Sequence, residues 1–255
     1  MLLSFCSIAF RDSRIDDIIP RIAELGYDGI EIWGNHVEEF HRRNGEIRTL
    51  SDLLMDSQLS VPLISPYFSF TEGEAKQELS FRLARKFSFY SKVLGNAAVR
   101  VFVGPLTSGQ ANEEHWRLIV ESLQRICDES QTSIFCLETH QGQLMDTTAS
   151  TLEIIRRVER PNLRVLLDIH NLFAVGEDPR ETVERLYQYT HHIHIKNFRG
   201  DKACYLEEGD MDYRPFLRGL RSKGYDRYIS VEWFGDNPWK AAAHELSVLR
   251  SWMNS

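Results

Sequence analysis

Four stretches in the second half of the chain decide the fold: S-I-F-C-L-E-T-H (133–140), L-R-V-L-L-D-I-H-N (163–171), H-H-I-H-I-K-N (191–197) and Y-I-S-V-E-W-F (228–234). Each is a short apolar run that ends near a polar side chain, and helical spacing fills the gaps between them. The same kind of run recurs upstream at Leu2–Phe10, Gly29–Trp33, Val61–Tyr67 and Ala98–Val103. With Ser133–Glu138, Leu163–Ile169, His191–Lys196 and Tyr228–Trp233 these make eight predicted strands. Strands that alternate with helices pair in parallel through crossovers. Eight such units in 255 residues fit a closed α/β barrel of the (β/α)8 type, a TIM barrel, better than an open doubly wound sheet. No G-x-G-x-x-G follows the first strand, which removes the main support for a dinucleotide-binding sheet. The expectation is one barrel domain over residues 1–255.

The helical segments pass the same test of spacing. In the last one Trp239, Ala242, Leu246, Leu249 and Trp252 form an apolar stripe, with Lys240, His244 and Glu245 expected off it. In the first, Ile15, Ile18, Ile19, Ile22 and Leu25 do likewise. Ser13 is expected to cap that helix and Gly26 to end it, with Pro20 imposing a kink or a late start. G-Y-D occurs at 26–28 and again at 224–226, before strands two and eight, as the same helix-to-strand turn.

Composition excludes several classes of function. The formal net charge of -7 offers no basic footprint for nucleic acid. No apolar stretch reaches the roughly 20 residues needed to cross a bilayer, and the N-terminus lacks the basic region and cleavage site of a signal peptide. Cys6, Cys127, Cys136 and Cys204 are scattered, so neither a disulfide framework nor a thiolate zinc site is indicated, which suits a cytoplasmic location. The sequence is as compatible with a homo-oligomer as with a monomer.

In a barrel of this kind reactive side chains gather at the C-terminal ends of the strands. Strands five to eight place Glu138, Asp168, His194 and Glu232 there. A single acidic residue at a strand end is more often a cap or an ion-pair member; four potential ligands at four successive strand ends point to a metal. Side chains alternate along a strand, so Ser230 shares a face with Glu232, His170 with Asp168, and His192 and Lys196 with His194. His192 reads as a satisfied interior histidine. Three carboxylates and one imidazole form a hard donor set for one divalent ion, with Mn2+ the leading expectation and Mg2+, Co2+ and Zn2+ open.

The segments GYDGIEIWG (26–34), LGNAAVRVFVG (94–104), CLETH (136–140), LLDIHNLFAVGEDP (166–179), HIHIKN (192–197) and YISVEWF (228–234) resemble the xylose isomerase-like barrel superfamily. That group includes sugar isomerases and epimerases, inosose dehydratases and endonuclease IV. The resemblance implies that Glu138, Asp168, His194 and Glu232 ligate the metal, that Glu138 and Glu232 act as an acid/base pair, and that His170, Lys196 and Arg199 contact substrate. Trp33, Tyr67 and Phe234, near strand ends, are candidate walls for a small-molecule sugar or cyclitol. Strands three and four carry no histidine for an endonuclease-type three-metal cluster. The expected activity is that of a metal-dependent isomerase or epimerase of a sugar or sugar phosphate, acting by enolisation beside a carbonyl. A dehydratase of the inosose type and a non-catalytic sugar-binding barrel are the alternatives.

Overall fold

The computed structural model describes residues 1–254, so Ser255, the last position of the expected domain, lies outside the described residues. The strands are β1 (Leu2–Cys6), β2 (Gly29–Trp33), β3 (Leu63–Ser65), β4 (Ala98–Val101), β5 (Phe135–Glu138), β6 (Leu163–Asp168), β7 (Thr190–Ile195), β8 (Asn197–Arg199), β9 (Lys202–Cys204) and β10 (Tyr228–Val231). Eight of them close a parallel barrel in which β1 pairs with both β2 and β10, and β10 pairs with β7. The antiparallel β8–β9 hairpin stands apart from it.

Alternation along the strands sorts the two sides of the wall. Ile30 and Ile32, Val99 and Val101, Ile193 and Ile195, and Ile229 and Val231 are buried in the large apolar cluster shared with the helices. Truncating one of these isoleucines to alanine is expected to cost about 2–5 kcal/mol. The residues between them, Glu31, Arg100, His194 and Ser230, are buried and polar. Leu63, Ala98, Cys136 and Leu166 make a separate small apolar cluster. The wall is therefore aliphatic outward and largely polar inward, a division that sets where chemistry can occur.

Several strands are shorter than their sequence runs. Ser7–Phe10 is a 3-10 turn after β1, β3 covers only Leu63–Ser65 between Pro62 and Pro66, and Glu232 and Lys196 follow their strands. Prolines at both flanks remove the donors a longer β3 would need. Ser13 does not cap the first helix: Ile15–Leu25 is preceded by Arg14 with no side-chain cap. Pro20 sits within that helix, which begins five residues before it, so a late start is excluded. Gly26 ends the helix at φ 95°, and Gly224, in the second G-Y-D, also has positive φ, 74°. Both positions favour the one residue without a Cβ.

The last helix, Pro238–Asn254, buries Ala242, Leu246 and Leu249 as its stripe predicts, and Trp239 packs on Phe10 with ring centroids 4.0 Å apart. Glu245 corrects that reading. It is 1% exposed, because the segment after the hairpin covers this flank and Leu206 N–H donates to its Oε1 at 3.1 Å. Among the described residues no helix is long and apolar enough to cross a membrane, and all four cysteines are free.

Candidate metal centre

The barrel brings Glu138, Asp168, His194 and Glu232 to one place. One potential ligand atom from each lies within 4.8 Å of all the others, and all four side chains are buried. Their strands are neighbours, and register aligns Asp168 with His194 across β6 and β7. Asp168 also caps the short helix Ile169–Ala174, its Oδ1 accepting from Asn171 N–H at 3.1 Å. His170 is thus on a helix, not on an extension of β6, yet it still lines the cleft above the centre.

Two features fit this group to a divalent cation. His194 Nδ1 is buried without a hydrogen-bond partner and stands 3.7 Å from Glu138 Oε1 and 3.6 Å from Glu232 Oε1. The charges also point that way. Glu31, Glu138, Asp168 and Glu232 are buried acids, and among the described residues Arg100 and Lys196 are the fixed cations in contact with the tetrad. With His194 neutral, as an imidazole ligand is, the excess of two negative charges inside a low-dielectric barrel is what one dication would neutralise. The residues present therefore fit a single divalent ion held by hard oxygen ligands and one imidazole.

Lys196 is closer to the centre than a peripheral substrate contact would be. Its Nζ lies 2.5 Å from Asp168 Oδ2 and 2.9 Å from Glu232 Oε2. Burial opposes its charge, but Asp168, Glu232 and Glu138 outweigh burial and hold the ammonium charged. Glu138 is set differently. Arg100 Nη1 donates to Glu138 Oε2 at 3.2 Å, and Arg100 Nη2 reaches the carbonyls of Ser65 and Pro66. The guanidinium lies 4.7 Å from the Tyr67 ring and 4.5 Å from the Phe102 ring. Burial pushes the Glu138 carboxyl up, but Arg100, with His194 and Lys196, brings it down to about 2.

A cleft of about 840 Å³ opens over the centre, lined in part by His140, His170, Lys196, Phe198, Asp210 and Phe234. Burial, helped by the nearby Lys196 charge, lowers His170 to about 4, so its imidazole is neutral near pH 7. Phe198 and Phe234 stack with centroids 6.5 Å apart. Tyr67 is exposed beside Phe102, which in turn meets His140. Trp33, Tyr67 and Arg199 are not among the residues lining this cleft. Trp33 lies edge-on to His36 at 5.3 Å, and the Arg199 guanidinium donates to the Glu208 carbonyl in a neighbouring cleft. His192 is a satisfied interior residue, 2.7 Å from the Ser230 hydroxyl.

Sequence reasoning missed Glu31 and Arg100. Both are charged residues in mid-strand, in G-I-E-I-W and A-V-R-V, with aliphatic neighbours on each side. That pattern aims a charge into the barrel, and a search confined to strand ends passes over it.

A closed parallel barrel with an acid-rich, one-histidine centre at the C-terminal ends of its strands is a recognisable class of metal-binding α/β protein. Residues 19–252 match the family model described as xylose isomerase-like TIM barrel, and the chain belongs to that family. It is 27% identical to 3-dehydroshikimate dehydratase of Bacillus anthracis over 98% of this chain and 96% of the relative. It is 22% identical to inosose dehydratase of Clostridium perfringens (87% and 83% covered) and 24% identical to fructoselysine 3-epimerase of Escherichia coli O157:H7 (88% and 84%). Among solved structures, the probable 3-DHS dehydratase AsbF of Bacillus anthracis superposes with a TM-score of 0.90 at 26% identity, covering 98% of this chain and 99% of that one. The IOLI protein with a bound zinc atom superposes at 0.85 and 18% identity, covering 100% and 98%, and shares the fold. The family is one of enzymes, and these relatives include dehydratases as well as an epimerase, so membership alone does not select the isomerase class.

Proposed function

We propose that this protein is a metal-dependent dehydratase of a small cyclic polyhydroxy ketone of the 3-dehydroshikimate type. The observation that carries the choice is the unequal setting of the two glutamates. Glu138 meets the buried Arg100 guanidinium at 3.2 Å, whereas Glu232 meets the buried Lys196 ammonium at 2.9 Å, which it shares with Asp168. Epimerisation with two bases requires a proton to be taken on one face and returned on the other, so both carboxylates must carry it in turn. The Arg100 guanidinium cannot give up a proton and so cannot relay one through Glu138, whereas an ammonium such as that of Lys196 can exchange a proton with Glu232. An elimination requires one base, and the relative that matches over 98% of this chain is named for an elimination.

Glu138, Asp168, His194 and Glu232 would hold the divalent ion, which supplies electrophilic pull on the substrate carbonyl and so acidifies the adjacent C–H. Glu232 accepts that proton. The electron pair moves through the enolate into a new C=C bond, and the β-hydroxyl departs with a proton as water. Lys196, beside Glu232, offers N–H donors to the developing oxyanion or to the leaving oxygen. His170 donates or accepts as a neutral imidazole, and Phe198 and Phe234 cover the apolar face of the ring.

The test is incubation of Mn2+-loaded protein with 3-dehydroshikimate, inososes and ketoses in deuterated water. Water loss from 3-dehydroshikimate with formation of an aromatic product is expected, and Glu232→Gln should reduce it at least 100-fold. Deuterium exchange with epimerised ketose and no elimination would reverse the proposal in favour of an epimerase. No reaction or exchange with any of the panel would favour a binding barrel.

A further inference from the structure

Among the described residues Glu31 is the one carboxyl at the centre that is not among the four candidate ligands, and it is fully buried. Its Oε1 accepts from the Ser65 hydroxyl. Its Oε2 lies 2.7 Å from His194 Nε2 and 3.4 Å from His192 Nε2. His192 Nε2 is in turn 2.7 Å from the Ser230 hydroxyl, which is 2.6 Å from the Ser4 hydroxyl. An ionised carboxylate has no proton to give, so the short contact to His194 requires Nε2 to carry the proton and donate it. A neutral imidazole has a single N–H. With that hydrogen given to Glu31, the lone pair falls on Nδ1, the atom that has no hydrogen-bond partner and faces Glu138 and Glu232.

We infer that Glu31 is a positioning residue for the metal centre: it fixes the tautomer and ring orientation of His194 so that Nδ1 faces the ion, and its negative charge makes that nitrogen a stronger donor. This rests on the four-ligand reading of Glu138, Asp168, His194 and Glu232. The hydroxyls and His192 complete the arrangement. Ser65 and His192 bracket the two carboxylate oxygens from different strands, so Glu31 cannot rotate away from His194. Partners of this kind typically contribute about 10–100-fold in metal affinity. Glu31, His192 and His194 also cluster closely enough to raise the question of a second ion. The 2.7 Å between Glu31 Oε2 and His194 Nε2 argues against it, because two donors each about 2.1 Å from one ion stand roughly 3 Å apart or more.

The experiment is Mn2+ titration of the wild-type chain, Glu31→Gln and Glu31→Ala, with free Mn2+ read by electron paramagnetic resonance. Wild type should bind one ion per chain. Glu31→Gln keeps an acceptor oxygen but loses the charge, and should bind more weakly than wild type; Glu31→Ala should be weaker still, by about 10–100-fold. Equal affinities in all three would overturn the inference. So would two ions in wild type with one lost in Glu31→Ala, which would make Glu31 a ligand. A wild-type chain that binds no ion would instead overturn the four-ligand reading, a distinguishable result. If the variants do not fold, nitrogen NMR of the Zn2+-loaded wild type decides. A protonated Nε2 on His194 is expected, and a proton on Nδ1 would refute the assignment.

Discussion

Glu245→Gln should make the protein more stable, and by an amount that grows with pH. Glu245 projects from the last helix into a buried position where Oε1 accepts from Leu206 N–H and Oε2 has no partner. Burial is the largest influence on its carboxyl. The Leu206 bond opposes burial, and the like charges of Glu207 and Glu208 reinforce it, so that the pKa rises from an ordinary 4.5 to about 8. A carboxyl whose folded-state pKa exceeds its unfolded value takes up a proton on folding. Its contribution is therefore intact below about 4.5 and is lost progressively as pH climbs toward about 8. At up to about 1.4 kcal/mol per pH unit between the two values, and less near each of them, the loss from about pH 5 to about pH 8 is roughly 3 kcal/mol. Glutamine keeps the oxygen that Leu206 needs and cannot ionise. Urea unfolding of parent and variant across this range should give nearly coincident midpoints at the acid end and a widening gap toward the alkaline end. A gap of the same size at every pH would refute the reasoning, since it would mean that Glu245 does not change protonation on folding.

Lys196→Met should strand Asp168 and Glu232 without their ammonium partner. The metal-free protein is expected to lose about 3–5 kcal/mol, and Mn2+ should then raise its Tm by more than it raises the parent's. A chelator-treated variant that melts with the chelator-treated parent would contradict this. Gly209→Ala should loosen the segment beside the cleft, because a Cβ there would meet the Asn197 amide at 2.1–2.5 Å while that amide holds the Leu206 and Met211 carbonyls. A loss of about 1–3 kcal/mol and a raised KM are expected; thermal melting and steady-state kinetics check both, and an unchanged Tm would show that Asn197 yields without cost.

What the sequence revealed and what it hid have physical reasons. Strand positions and the tetrad were legible because each strand couples an aliphatic outer face to a polar tip, and V-E-W or L-L-D-I-H shows both in a few letters. Ends were harder: the prolines around Leu63–Ser65 and the helix that starts at Ile169 cut short runs that remain apolar in sequence. The hairpin was missed although Gly200–Asp201 is a two-residue turn pair and Gly200 has φ 59°. Glu245 looked solvent-facing because helical spacing does not register the chain segment that later folds across it. Glu31 and Arg100 were hidden by the expectation that function sits at strand ends, whereas their contacts run from mid-strand up to His194 and Glu138.

The candidate ligands occupy an unbroken arc of the barrel, β5, β6, β7 and the end of β10, while β2, β3 and β4 support that arc through the side chains of Glu31, which bonds His194 and is held by Ser65, and Arg100, which bonds Glu138. The two halves of the wall therefore differ in what they can change without loss. Substitutions on the ligand arc dismantle the cage, but substitutions at the three supporting positions leave its donors in place and alter only how firmly they are held and how strongly they attract a proton. A combinatorial library confined to those three positions would be a set of dials on one candidate centre, a route by which a barrel of this family could drift between neighbouring chemistries while its ligand set is kept.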